Sequence, residues 1–158
     1  MNLLSRDGGR LVFHLTRREH YLLRVLLRLA RRGRRTHAPL SRAVDDPLAA
    51  AAAEAFAAGI VAHHDRTRSE AEAWLKDPRR CIRGRGGSFG LTLTPSETET
   101  LLQAINAARV GAWESLGSPD FEMGERIQAD PTNLRAVVTM GLAEQFVGEL
   151  LRALHETD

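Results

Sequence analysis

The chain has 158 residues, 43% apolar and only 5% aromatic, with 22 basic against 20 acidic side chains and a formal charge of +2. That length fits one domain, residues 1–158, which buries roughly 70% of its unfolded surface without needing staples. A single cysteine, Cys81, excludes an internal disulfide and a thiolate zinc site, and Met1-Asn2-Leu3-Leu4 lacks the pattern of a secretory leader. Nor is any apolar run long enough for a membrane span, so a cytoplasmic protein with no membrane partner is expected.

In chain order, the first expected element is a hairpin from Leu3 to Leu15. Asp7-Gly8-Gly9 supplies the positive φ that a tight turn needs, and Leu11, Phe13 and Leu15 share one strand face, with Val12 and His14 on the other. Thr16 and Glu19 then form a capping box that opens a helix to about Arg32, with Leu22, Val25, Leu26 and Leu29 as its stripe and Gly33 as its stop. Asp46-Pro47 opens an Ala-rich helix from Ala49, whose large apolar anchors are Phe56 and Ile60. Ser69 and Glu72 mark a third, short helix closed by Pro78.

A second hairpin follows over Ile82 to Leu93, with Gly84, Gly86 and Gly87 in the turn and Phe89, Leu91 and Leu93 facing inward. Thr94, Pro95 and Glu97 start the fourth helix, with Leu101, Ile105, Ala108, Ala112 and Leu116 on its stripe, ending near Gly117. Residues 118–129 read as irregular or as carrying a short helical turn around Phe121 to Ile127. Asp130-Pro131 opens the last helix, where Leu134, Val138, Leu142, Phe146, Leu150 and Leu154 recur at every fourth position. That stripe predicts a central, buried C-terminal helix, and Gly141 and Gly148 predict a close approach by another backbone.

Thr16 and Thr94 lie 78 residues apart, and at that offset Gly9, Leu11, Phe13, Leu15, Glu19, Leu23 and Arg31 align with Gly87, Phe89, Leu91, Leu93, Glu97, Leu101 and Arg109. The expected fold is therefore mainly α with a small antiparallel β piece, an α+β arrangement of two strand–helix–helix pseudo-repeats, approximately 1–78 and 79–158. The hairpins are expected to pair into one sheet, since a lone hairpin is marginal in water. The repeats differ in charge: residues 1–44 hold 11 Arg against Asp7 and Glu19, whereas residues 95–158 hold 4 Arg against 11 acidic residues. Attraction between the halves, or between copies of the chain, follows.

Few residues carry chemistry. His63-His64-Asp65 has the types for a metal or a proton relay, yet neighbours on a helix point about 100° apart, so these are read as a cationic C-terminal cap of the Ala-rich helix. Cys81 lies among Arg79, Arg80 and Arg83, which would lower a thiol pKa, but it occupies the position equivalent to Leu3 and is read as a buried, inert side chain. The glycines at 84–87 precede a strand, whereas a phosphate loop follows one. No catalytic residue, metal site or cofactor is expected.

Arginine is the remaining signal, although Lys76 is the only Lys and coding bias accounts for much of it. Arg28, Arg31, Arg32, Arg34, Arg35 and Arg42 cluster near the end of the first helix, and Arg79, Arg80, Arg83 and Arg85 lead into the second hairpin. Two such groups could track one phosphate backbone, though no aromatic residue is interleaved with either in sequence.

The run Leu101-Leu102-Gln103-Ala104-Ile105-Asn106-Ala107-Ala108-Arg109-Val110 with Leu116-Gly117, the capped Arg-rich segment from Arg10 to Arg35 and the step Asp45-Asp46-Pro47 resemble an uncharacterised bacterial helical family. In actinobacteria the genes of that family tend to lie beside the adaptor of the Clp protease. The resemblance implies no reaction, cofactor or catalytic residue, and it implies an accessory or regulatory role near protein turnover. Two functions are carried forward: a non-enzymatic interaction or regulatory protein, self-association included, and a sequence-indifferent nucleic-acid binder.

Overall fold

The computed structural model describes residues 1–30, 47–120 and 127–155. The chain is an α+β fold of strands β1 (Asn2–Asp7), β2 (Arg10–Leu15), β3 (Cys81–Arg83) and β4 (Phe89–Leu93) and helices α1 (Arg17–Ala30), α2 (Pro47–Trp74), α3 (Pro95–Ser115) and α4 (Leu134–His155). The expected ends of α1 at Gly33 and caps at Asp46, and most of the turn at Phe121 to Ile127, lie outside the described residues.

Both hairpins form and meet in one antiparallel sheet of order β1-β2-β4-β3. Gly8 and Gly9 turn the first at φ of 53° and 78°, a backbone that L side chains resist. The central pair is registered Leu11↔Leu93, Phe13↔Leu91 and Leu15↔Phe89, so Phe13 faces the residue 78 positions ahead of it and its neighbours exchange partners reciprocally. Leu3↔Phe13 in one hairpin has its counterpart in Cys81↔Leu91 in the other. The hairpins differ where a bulge between Leu3 and Ser5 lengthens β1, and where a 3-10 turn, Arg85–Gly87, joins the short β3 to β4.

The capping boxes also coincide. Thr16 Oγ1 accepts from Glu19 N at 3.2 Å and the Glu19 carboxylate accepts from Thr16 N at 2.8 Å; Thr94 and Glu97 make the same exchange at 3.2 and 2.9 Å. Each glutamate also takes a cation from the residue that precedes a strand, the Met1 ammonium before β1 for Glu19 and the Arg80 guanidinium before β3 for Glu97.

Alternation sends Leu11, Phe13, Leu15, Leu91 and Leu93 to one sheet face, where each is at most 2% exposed. Leu23, Leu26 and Leu27 of α1 and Leu101, Ala104 and Ile105 of α3 complete the core there, with Ala71 and Leu75 from the end of α2 and Phe146 and Leu150 from α4. The opposite face carries Val12, His14, Gly90 and Thr92, with Ile82 57% exposed at the edge.

Three expectations are corrected. The segment at Ser69 and Glu72 is not a separate helix: α2 runs unbroken for 28 residues, Ser69 Oγ donates back to the Asp65 carbonyl and Glu72 pairs with Arg68 at 2.7 Å. The centre of the fold is α3, which packs against α1, α2 and α4. In α4, Leu134 and Val138 are 50% and 49% exposed, and a Cβ placed at Gly141 or Gly148 meets nothing within 4 Å, so among the described residues no backbone approaches there. Asp130 does cap the entry to α4, but its carboxylate holds Thr132 and Asn133 in a turn and the helix starts at Leu134. Those hydrogen bonds hold the Asp130 carboxyl below its ordinary value.

Candidate functional site

Because His20, Leu23, Leu26 and Leu27 face the core, the 3.6-residue period turns Arg17, Tyr21, Arg24 and Arg28 toward the outer side of α1. Tyr21 is 65% exposed in the middle of that row. Arg18 is exposed one position away.

The β3–β4 hairpin lies alongside. The ring of His20 stacks on Phe89 with centroids 4.0 Å apart, and Arg17 Cδ comes within 3.9 Å of where a Cβ would sit on Gly87. Arg83 pairs with Phe89 across the sheet and is exposed at the edge; Arg85 is exposed in the turn before Gly87. The start of α1 thus lies against Phe89 and the β3–β4 turn, and arginines more than 50 positions apart in sequence border one ridge. None of Arg17, Arg18, Arg24, Arg28, Arg83 and Arg85 has an ion-pair partner among the described residues. Among the described residues no carboxylate of the second half pairs with them: Glu149 pairs with Arg152 at 2.9 Å and Glu97 with Arg80 at 2.5 Å.

Of the arginines singled out in the sequence, Arg28, Arg79, Arg83 and Arg85 are exposed, and Arg31, Arg32, Arg34, Arg35 and Arg42 lie outside the described residues. Arg80 is engaged structurally, bound to Glu97, 3.9 Å from Asp77 and with its guanidinium 5.9 Å from the Trp74 ring centroid. Sequence reasoning missed Arg17, Arg18, Tyr21 and Arg24. The i, i+4, i+7, i+11 spacing of Arg17, Tyr21, Arg24 and Arg28 was the available signal, and it interleaves an aromatic ring that linear adjacency does not reveal.

His63, His64 and Asp65 do not cap a helix end; they sit inside α2, which continues to Trp74. Their side chains diverge. His63 meets Gln103 at 3.1 Å and Arg66 at 3.2 Å, its ring is tilted 55° to that of His64, and Asp65 turns to Arg68. Among the described residues no three His, Cys, Asp or Glu side chains are placed to hold a metal ion. Cys81 is free and buried, and burial pushes its thiol up against the opposing pull of Arg24, which leaves a poor nucleophile.

Three titrating groups beside the ridge tie stability to pH. Burial, assisted by the charge of Arg24, holds His20 below its ordinary 6.5 despite a hydrogen bond with the Leu75 carbonyl. Burial alone would raise Glu19 and Glu97. The Met1 ammonium and Thr16 outweigh it for Glu19, as Thr94 and Arg80 do for Glu97, and both stay below their ordinary 4.5. A folded state with depressed pKa values binds fewer protons than the unfolded chain, so stability is lost as pH falls from 6.5 toward the folded His20 value, and again below 4.5. Urea midpoints at about pH 7.5, about pH 5.5 and about pH 4 are expected to fall in two steps, and His20→Phe, which keeps a ring against Phe89, to lose the first step only. A midpoint unchanged over that range would contradict the burial of these groups.

No family model matches this chain, and no curated protein and no solved structure is detectably similar to it.

Proposed function

We propose that the protein is a non-enzymatic interaction protein of regulatory character, working through preformed surfaces. The observation that carries this reading is the first half of α2. From Leu48 to Ala62 no residue is buried, Glu54 is the only charge, and Leu48 and Phe56 are 78% and 57% exposed on one side. Apolar surface concentrated in this way is the mark of a contact site. A run of alanines favours the helix in this arm by propensity.

The occupant we assign is a second copy of the chain, and a cytoplasmic setting suits the free Cys81. The regulatory part of the reading rests on the resemblance of Leu101–Val110 and the Arg-rich segment to the helical family encoded beside the Clp adaptor. We also read the chain as two fused copies of one ancestral unit; the Phe13↔Leu91 register and the paired capping boxes support this, because a local two-fold axis requires equivalent residues to face each other.

Sedimentation of the full chain tests the arm. The wild type is expected to exceed its 17.5 kDa monomer mass at high concentration, and Leu48→Glu with Phe56→Glu to return it to monomer with an unchanged thermal midpoint, since both positions are exposed. A wild type that stays monomeric would contradict the assignment.

A further inference from the structure

We infer that the ridge formed by α1 and the β3–β4 hairpin binds single-stranded nucleic acid, with Arg17, Arg24, Arg28, Arg83 and Arg85 on the phosphates and Tyr21 under an unstacked base. This extends the reading of the chain as an interaction protein to a second surface, and it does not depend on the α2 arm.

Four observations carry the inference. The arginines are exposed or half-exposed and have no acidic partner among the described residues, so their charge is available to a ligand. Their side chains form a row of about 17 Å from Arg17 to Arg28, at 1.5 Å per residue, which follows a linear polyanion better than a compact one. Arginine offers a planar fork that matches phosphate oxygens two at a time. Finally, Tyr21 stands 65% exposed between Arg17 and Arg24, where a base freed from its stack finds an aromatic face.

The same geometry argues against the other anionic partners. A duplex accepts a helix in its major groove, but here the β3–β4 hairpin lies beside the first turn of α1, with Phe89 stacked on His20, and stands in the way of that approach. A membrane surface requires a broad apolar face beside the charges. Ile82 is exposed on the opposite side of the sheet, and Tyr21 is the one large apolar side chain that α1 exposes among the described residues. Phosphates and base faces are common to DNA and RNA, so both strands are expected to bind.

Fluorescence anisotropy of labelled oligo(dT) and oligo(U) of about 20 nucleotides, titrated with the full chain, tests this. With about four phosphates neutralised, the log–log salt slope is expected near −3, about a 60-fold loss of affinity between about 50 and about 200 mM salt. Arg17→Glu with Arg83→Glu weakens binding more than about 30-fold, and Tyr21→Ala weakens it about five- to 150-fold. Arg135→Glu with Arg152→Glu makes the same change in net charge; Arg152 is 62% exposed on α4, whose C-terminal end lies against β1 at the far edge of the sheet, and affinity changes less than about threefold. All these positions are exposed, and circular dichroism melts confirm folding of each variant. Three results would overturn the inference: no binding at low salt, equal losses in ridge and control variants, or tighter binding to anionic vesicles or duplex with Tyr21→Ala unaffected. The Leu48→Glu, Phe56→Glu monomer is expected to bind the oligonucleotide through an intact ridge, so failure of self-association and failure of the ridge are separate outcomes.

Discussion

Replacing Phe13 by Ala is expected to lower the unfolding free energy by about 3–5 kcal/mol, and Leu91→Ala by about 2–5 kcal/mol. Phe13 is 0% exposed, lies on an inner strand and pairs with Leu3 on one side and Leu91 on the other. Its ring is therefore enclosed by both hairpins, and the neighbouring leucines are held by the sheet and cannot collapse into the space left behind. A domain of this size has about 5–15 kcal/mol of total stability, so either change brings it near the threshold. In the double variant the two cavities merge, and the combined loss is expected to fall short of the sum by about 0.5–3 kcal/mol. Urea titration measures all three. A loss below about 1 kcal/mol for Phe13→Ala would mean that the hairpins do not close over the ring.

The second large effect separates α3 from α4. Ile105→Ala is expected to cost about 2–5 kcal/mol, because the side chain is 0% exposed on the helix that touches each of the other three. Leu134→Ala and Val138→Ala are expected to change stability by less than about 0.5 kcal/mol, since half of each side chain already faces water. Comparable losses from α3 and α4 would restore the last helix to the centre of the fold, the place that its apolar stripe first suggests.

That stripe is instructive about what the residues disclose. Steps of four along a helix advance about 400°, a drift of about 40° each time, so five steps from Leu134 to Leu154 swing through about 200°. One face cannot hold them all. Phe146 and Leu150 meet the core, and Leu134 and Val138 consequently turn outward. The hairpins and capping boxes, by contrast, were legible because their rules are local: Gly8-Gly9 admits one turn, and a Thr with Glu three residues on closes a ring of hydrogen bonds wherever a helix starts. The same rule misled at Ser69, where a Ser and a Glu at the right spacing lie inside a continuous helix and bond within it. Local spacing marks a start only when the preceding residues cannot be helical, and here they are.

The ridge shows a different limit. Arg17, Tyr21, Arg24 and Arg28 fall in line once the helix is wound, but Arg83 and Arg85 join them through a sheet that pairs residue 13 with residue 91. No window of sequence contains that contact. The offset of 78 residues nevertheless foreshadows it, since Phe13 and Leu91, which it aligns, are partners across the central strand pair. Charge is a guide of another kind: among the described residues the ion pairs are mostly local and leave the α1 arginines without an acidic partner. A salt-sensitive surface beside a salt-insensitive core follows from that separation.

The core, the ridge and the proposed duplication all depend on strands β2 and β4 lying together in one register. Backbone NOEs in a uniformly labelled sample of the full chain measure that pairing directly. Cross-strand connections are expected between Phe13 and Leu91, flanked by Val12 with Thr92 and His14 with Gly90. A register displaced by one residue would turn Leu91 and Leu93 to the solvent face, and that pattern, or NOEs joining β2 to β1 alone, would contradict the account.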